Sequence, residues 1–261
     1  MIGGDGSLRV PAKSVTWFQF LQLSRLTNSE QGGWDSLSHW ETRGLEKLLN
    51  AEPLQAWTRN SLHSKTRPVP RKKNFRFNER QSGRGSSFMT AAAKNLTVGI
   101  DKLNENQLNS LLFHQNKLQV WGRLIGYEIY LADEAENQLK IDLLGKGEGF
   151  ISIVELKQGK NRGHSPLMML TEVICYAIQL IRCKAGLQAE YEFGDFQTIR
   201  LNLAAPDTYW NYWRPKRGNC LEKLENVVSQ ASVELACNLK LEIHSINYKD
   251  GAFDVKPFEL E

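Results

Sequence analysis

Three ionisable residues have the types and spacing needed to act on a phosphate ester. They are Asp142, Glu155 and Lys157. Asp142 lies in residues 138–144 (QLKIDLL), and Glu155 and Lys157 close residues 149–157 (GFISIVELK). Both segments read as β-strands because they are short, rich in apolar residues and bounded by polar turns. Strand side chains alternate, so Leu139, Ile141 and Leu143 are expected on one face and Lys140, Asp142 and Leu144 on the other. By the same rule Ile151, Ile153, Glu155 and Lys157 share a face, with Glu155 and Lys157 roughly 7 Å apart along the strand. If the two strands pair, Asp142 stands beside Glu155. Two carboxylates in an otherwise apolar sheet are costly unless something neutralises them. A hard divalent cation, Mg²⁺ or Mn²⁺, is the expected partner. An ammonium beside it could stabilise hydroxide or the charge that builds up as a phosphodiester is attacked.

The elements that must position these residues can be read in order. Residues 104–121 have Leu108, Leu111, Leu112, Leu118 and Trp121 at helical spacing. Strands are expected over 125–132 (IGYEIYLA), 138–144 and 149–157. The loop QGKNRGHS follows, and Ser165-Pro166 then gives an N-cap and first-turn signal for an apolar helix to about Cys183. Residues 198–204 read as a strand, 219–236 as a helix and 239–247 as a last strand. This order predicts an α/β (α+β) fold with a mixed central sheet flanked by helices. Residues 98–261 form the expected core. Residues 1–97 read as a separate N-terminal region, with two or three short helices over 15–62 and a loop near 63–87.

In this order of elements, the run Ile141-Asp142 followed by Glu155-Leu156-Lys157 resembles the signature of the PD-(D/E)XK nuclease superfamily. Ile141 replaces the Pro of the family name. The helix after the third strand carries Glu172 and Tyr176 where many members have a QxxxY pattern, Glu standing for Gln. The resemblance covers about residues 100–205 and implies a restriction-endonuclease-like fold. It also implies Asp142 and Glu155 as metal ligands, with the Leu156 carbonyl as a third. Lys157 would be the catalytic lysine, and Glu172 and Tyr176 its supporting residues. Members often contribute an acidic residue from the helix before the strands. Glu105 is the candidate here, since it shares a helical face with Leu108 and Leu112. Equally, an acid in a first helical turn favours the helix dipole alone.

Charge is unevenly divided. Residues 1–100 hold 15 Lys/Arg against 7 Asp/Glu, and residues 101–261 hold 18 against 22. A basic half suits a polyanionic partner. Between Arg59 and Arg84 there are nine Lys/Arg and one acid, Glu79, with Phe75 and Phe77 interleaved among Lys72, Lys73, Arg76 and Arg80. Such a run could grip phosphates and stack bases, or could be a solvated loop. Lys160 and Arg162, directly after the catalytic strand, could touch a substrate backbone. The cluster Tyr209, Trp210, Tyr212 and Trp213 could stack bases or pack a core edge; packing is the favoured reading. No run of eighteen apolar residues occurs, so no membrane span is expected. The four cysteines form no CxxC pair, which argues for reduced thiols and a cytoplasmic setting rather than a structural zinc.

The expectation is a Mg²⁺-dependent (or Mn²⁺-dependent) DNA endonuclease. DNA is preferred over RNA by family habit, as is homodimerisation. The alternative is a nucleic-acid-binding or assembly subunit whose cleavage depends on a protein partner.

Overall fold

The computed structural model describes residues 99–258, apart from 116–119, 131–139, 163, 165, 183, 185–187, 189–193 and 215–219. The basic run, with Lys72, Lys73, Arg76 and Arg80, and the helices expected over 15–62 lie outside the described residues, as does the expected N-cap Ser165.

A 3₁₀ turn, Ile100–Lys102, leads into helix α1, Glu105–His114. Three strands follow, β1 (Arg123–Tyr130), β2 (Lys140–Gly147) and β3 (Phe150–Leu156). Helix α2 (Pro166–Arg182) crosses to β4 (Thr198–Pro206). Then come the short helix α3 (Asp207–Trp213), helix α4 (Cys220–Leu235), β5 (Asn238–Lys249) and β6 (Ala252–Pro257). The strands form one six-stranded mixed sheet in chain order, β1 to β6. β1–β2, β2–β3 and β5–β6 pair antiparallel, while β3–β4 and β4–β5 pair parallel. The parallel pairs are the ones joined by helices, as a crossover requires.

Both faces of the sheet are covered, and alternation along β3 shows how. Ile151 and Ile153 join a core with Met169, Val173, Ala177 and Leu180 of α2 and Val227 and Ala231 of α4. Val154 and Leu156 join a second core with Leu108, Leu111 and Leu112 of α1. Because α2 is buried between the sheet and α4, a helix apolar around most of its circumference is what its place demands.

The structure corrects several sequence expectations. α1 ends at His114, capped by Gln115, whose side-chain carbonyl accepts from the Phe253 N–H at 2.9 Å. That bond ties the helix end to β6, and the helix is shorter than the 104–121 expected. Trp121 is instead fully buried in the turn that enters β1. The aromatic run at 209–213, expected only as a cluster, is α3. β6 was not expected at all. The simple alternation of β2 also fails. Ile141 and Leu144 join the α2-side core and Leu143 the α1-side core. The β1–β2 register shifts between Leu124 and Gly126, and Glu128 takes a left-handed φ of 49° opposite this stretch. A bulge of this kind adds local twist and turns the following side chains.

Candidate active site

The β2–β3 ladder runs from Gly147–Phe150 to Leu143–Val154 and stops there. One residue further, the strands part. The Leu156 N–H, which would otherwise continue the ladder, donates to Asp142 Oδ2 at 2.8 Å. A buried N–H needs a partner, and a side-chain carboxylate supplies it where the neighbouring backbone has moved away. Asp142 Oδ1 accepts from Asn109 Nδ2, on α1, at 2.9 Å. The carboxylate is therefore held from two elements at once, in the gap between β2 and β3.

Glu155 and Lys157 follow on the α2 side. Lys157 Nζ bonds Glu155 and lies 3.0 Å from Glu172 Oε2 on α2. Its backbone N–H donates to the Ala204 carbonyl of β4 at 3.1 Å, which anchors the end of β3. The relative exposures of Asp142, Glu155, Lys157 and Glu172 are 5, 3, 2 and 6%. Two buried carboxyl groups thus contact one ammonium, and the charge of a third, Asp142, acts on it from further away.

This imbalance sets the proton affinities. Burial pushes the Asp142 carboxyl up to about 6, against the pull of Lys157, the Leu156 N–H and Asn109. Burial also raises Glu155 well above the usual carboxylate range, helped by the neighbouring charges of Asp142 and Glu172. Burial acts on Glu172 too, but the Lys157 ammonium and the hydrogen bond with Glu155 outweigh it and hold the group low. For Lys157, burial alone would lower the ammonium; the charges of Glu155, Glu172, Glu105 and Asp142 instead raise it well above its ordinary value. The site is one coupled unit in which Glu155 takes up a proton most readily.

No family model, curated protein or solved structure matches this chain. What the site can do rests on its own geometry.

Among the described residues, no group of three or more His, Cys, Asp or Glu is placed to hold a metal ion. The side chains that fit one are the pair Asp142 and Glu155, and Glu155 Oε2 is buried with no donor of its own. In a strand the N–H and C=O of one residue face the same neighbour, so the Leu156 carbonyl shares the edge that reaches Asp142. Two carboxylates and a carbonyl suit Mg²⁺, which keeps several waters and uses few protein ligands. The negative excess is what a cation would relieve.

The remaining sequence candidates fall into place unevenly. Glu105 is half-buried at the start of α1, where its charge raises both Asp142 and Lys157; Asn161 Nδ2 reaches its Oε1 at 3.4 Å. Tyr176 is buried one helical turn beyond Glu172, and its hydroxyl is pushed well up by burial and then by the charges of Glu155, Glu172 and Asp142. Lys160 is exposed. Arg162 is turned inward onto its own loop. It donates to the carbonyls of Gly159 (2.8 Å), Asn161 (3.1 Å) and Thr208 (3.4 Å), and its guanidinium lies 4.1 Å from the Tyr212 ring centre. Tyr209, Trp210 and Trp213 are buried, so this cluster packs a core edge.

Sequence reasoning missed Asn109, and it named Tyr209 only as one of an aromatic cluster, not as an anchor of the loop after β3. Asn109 stands one turn after Glu105, and that i, i+4 relation was the available signal. The Tyr209 hydroxyl donates to the His164 carbonyl at 2.8 Å and fastens the loop after β3 to α3. Gly159 is required in that loop, because a Cβ would overlap Asp101 and Thr208, which hydrogen-bond each other beside it.

Proposed function

We propose that this protein is a metal-dependent nuclease of PD-(D/E)XK type that hydrolyses DNA phosphodiester bonds. One observation carries the proposal. Asp142, Glu155 and Lys157 meet in a single buried cluster at the point where β2 and β3 separate. The element order α1-β1-β2-β3-α2-β4 around that cluster supports the same reading.

Asp142 and Glu155, with the Leu156 carbonyl, would hold Mg²⁺ or Mn²⁺, which when bound neutralises the carboxylates, polarises the phosphate and makes water a better nucleophile. The chain's own residues supply the rest. Glu172 keeps Lys157 charged and fixes its ammonium at the cluster. From there Lys157 faces the oxygens on which negative charge grows in the transition state. Tyr176 and the α2 side chains exclude bulk water, which strengthens each of these interactions. The test compares the protein with Lys157→Ala on duplex DNA in Mg²⁺ or Mn²⁺. Loss of one such electrostatic group is expected to slow cleavage on the order of 10²–10³-fold. Equal cleavage by both proteins would refute the assignment.

The burial of the cluster supports a second reading, in which the protein binds nucleic acid or assembles with a partner that licenses cleavage. Its signature is salt-sensitive DNA binding without metal-dependent cutting by the isolated chain.

A further inference from the structure

We infer that Asn109 is the positioning residue for Asp142, holding its carboxylate ready for a divalent cation. The inference rests on the nuclease reading above and adds a residue to it. Asn109 is fully buried on α1, flanked by Leu108, Leu111 and Leu112, which pack the α1-side core. Its Nδ2 donates to Asp142 Oδ1 at 2.9 Å, while the Leu156 N–H takes Oδ2 at 2.8 Å. Two donors on different oxygens, from a helix and a strand, fix both the position and the rotation of the carboxylate. A carboxylate offers about four lone-pair sites, so the remaining ones stay available for a cation shared with Glu155.

The other half of the amide gains nothing for the fold. Asn109 Oδ1 is buried and has no hydrogen-bond partner. A leucine of similar size would suit such surroundings better if packing were the residue's only task. A neutral amide is also the group that can grip Asp142 without adding charge to a cluster already rich in carboxyls. An acid here would repel Asp142, and a lysine would compete with the cation. Glu105, one turn earlier, already contributes negative charge to the same cluster.

The experiment uses the full chain, with Mn²⁺ as the probe, titrated calorimetrically into the unaltered protein, Asn109→Leu and Asn109→Ala. Partners that orient metal ligands typically contribute 10–100-fold in metal affinity. Asn109→Leu is expected to weaken Mn²⁺ binding by at least about 10-fold, with a modest fall in the thermal unfolding midpoint, since the space stays filled while Asp142 Oδ1 loses its donor. Asn109→Ala should show the same metal defect with a lower midpoint. In cleavage assays the Mg²⁺ concentration for half-maximal rate should rise, with a smaller change in kcat at saturating metal. A purely structural Asn109 would lower the midpoints and leave Mn²⁺ affinity unchanged in both variants, and that result overturns the inference alone. If the unaltered protein takes up no Mn²⁺, the metal-dependent reading fails and takes this inference with it.

Discussion

Replacing Asp142 with asparagine should stabilise the metal-free protein at neutral pH and have little effect in acid. The substitution keeps the shape of the site. The new amide can still accept from the Leu156 N–H, and its NH₂ can meet Asn109, whose own Oδ1 has no partner and can turn to accept. What disappears is the charge. In the folded protein the Asp142 carboxyl is raised from 3.8 to about 6. A group raised on folding contributes stability that is fully present below its unfolded pKa. That stability is lost as pH rises through the folded value, here between about pH 4 and 6. That rise corresponds to ~3 kcal/mol at pH 7.5 and to less than about 1 kcal/mol at pH 4. For a domain of this size that is a gain of roughly 6–12 °C in Tm at pH 7.5. The assay is urea or thermal unfolding of both proteins in EDTA at the two pH values. Saturating Mg²⁺ should then narrow the gap at pH 7.5, since the unaltered protein retains the ligand. An equal effect at both pH values, or destabilisation that grows toward neutrality, would refute the reasoning.

Two further outcomes are expected. Lys157→Ala leaves Glu155 and Glu172 buried without their cation and should cost about 3–5 kcal/mol at pH 7.5; adding Glu172→Gln should recover part of it. Strictly additive losses in urea unfolding would show that Lys157 and Glu172 do not act as a pair. Lys160→Ala, at an exposed position, should reduce the salt dependence of DNA binding by about one unit of slope. Arg162→Ala should leave that slope unchanged and lower Tm and kcat instead, because its donors are spent on backbone carbonyls. Fluorescence anisotropy across a salt series separates the two.

Much of the core could be read before any coordinates. The β-branched run ending in Glu155 and Lys157 allowed few conformations other than a strand, and the apolar stretch from Pro166 is too long and too periodic to be one. Strand alternation along β3 puts Glu155 and Lys157 on one face, but it does not give the position of Asp142, which lies beyond the last paired residues of β2 and β3. What stayed hidden depends on contacts distant in sequence. The end of α1 is tied to β6 by a bond from Phe253 to Gln115, 138 residues away. The left-handed backbone of Glu128 falls on a residue type that gives no local warning of it. β6 carries Asp254 and Lys256 on an edge strand, where charges are common and hydrophobic periodicity is weak. Asn109 looks like any polar helix residue until the sheet is folded against α1.

The location of the site has a physical logic of its own. β3 is the strand at which pairing changes from antiparallel on one side to parallel on the other. Because β3, β4 and β5 are parallel, their carboxyl ends lie along one rim of the sheet, where α/β proteins commonly place ligands. At that rim the loop after β3 meets α3 through Tyr209 and Arg162, and Asp207 after β4 meets Ser245 of β5. There too the ladder to β2 ends and exposes backbone groups that need partners. Among the described residues the buried Asp, Glu and Lys side chains are those of this cluster, Asp142, Glu155, Lys157 and Glu172; other charges on the sheet, such as the Arg200–Glu242 pair, stay partly exposed. Asp142 is tolerated here because it satisfies a backbone N–H that β2 no longer reaches. The parting of two strands therefore explains why a carboxylate survives in this core.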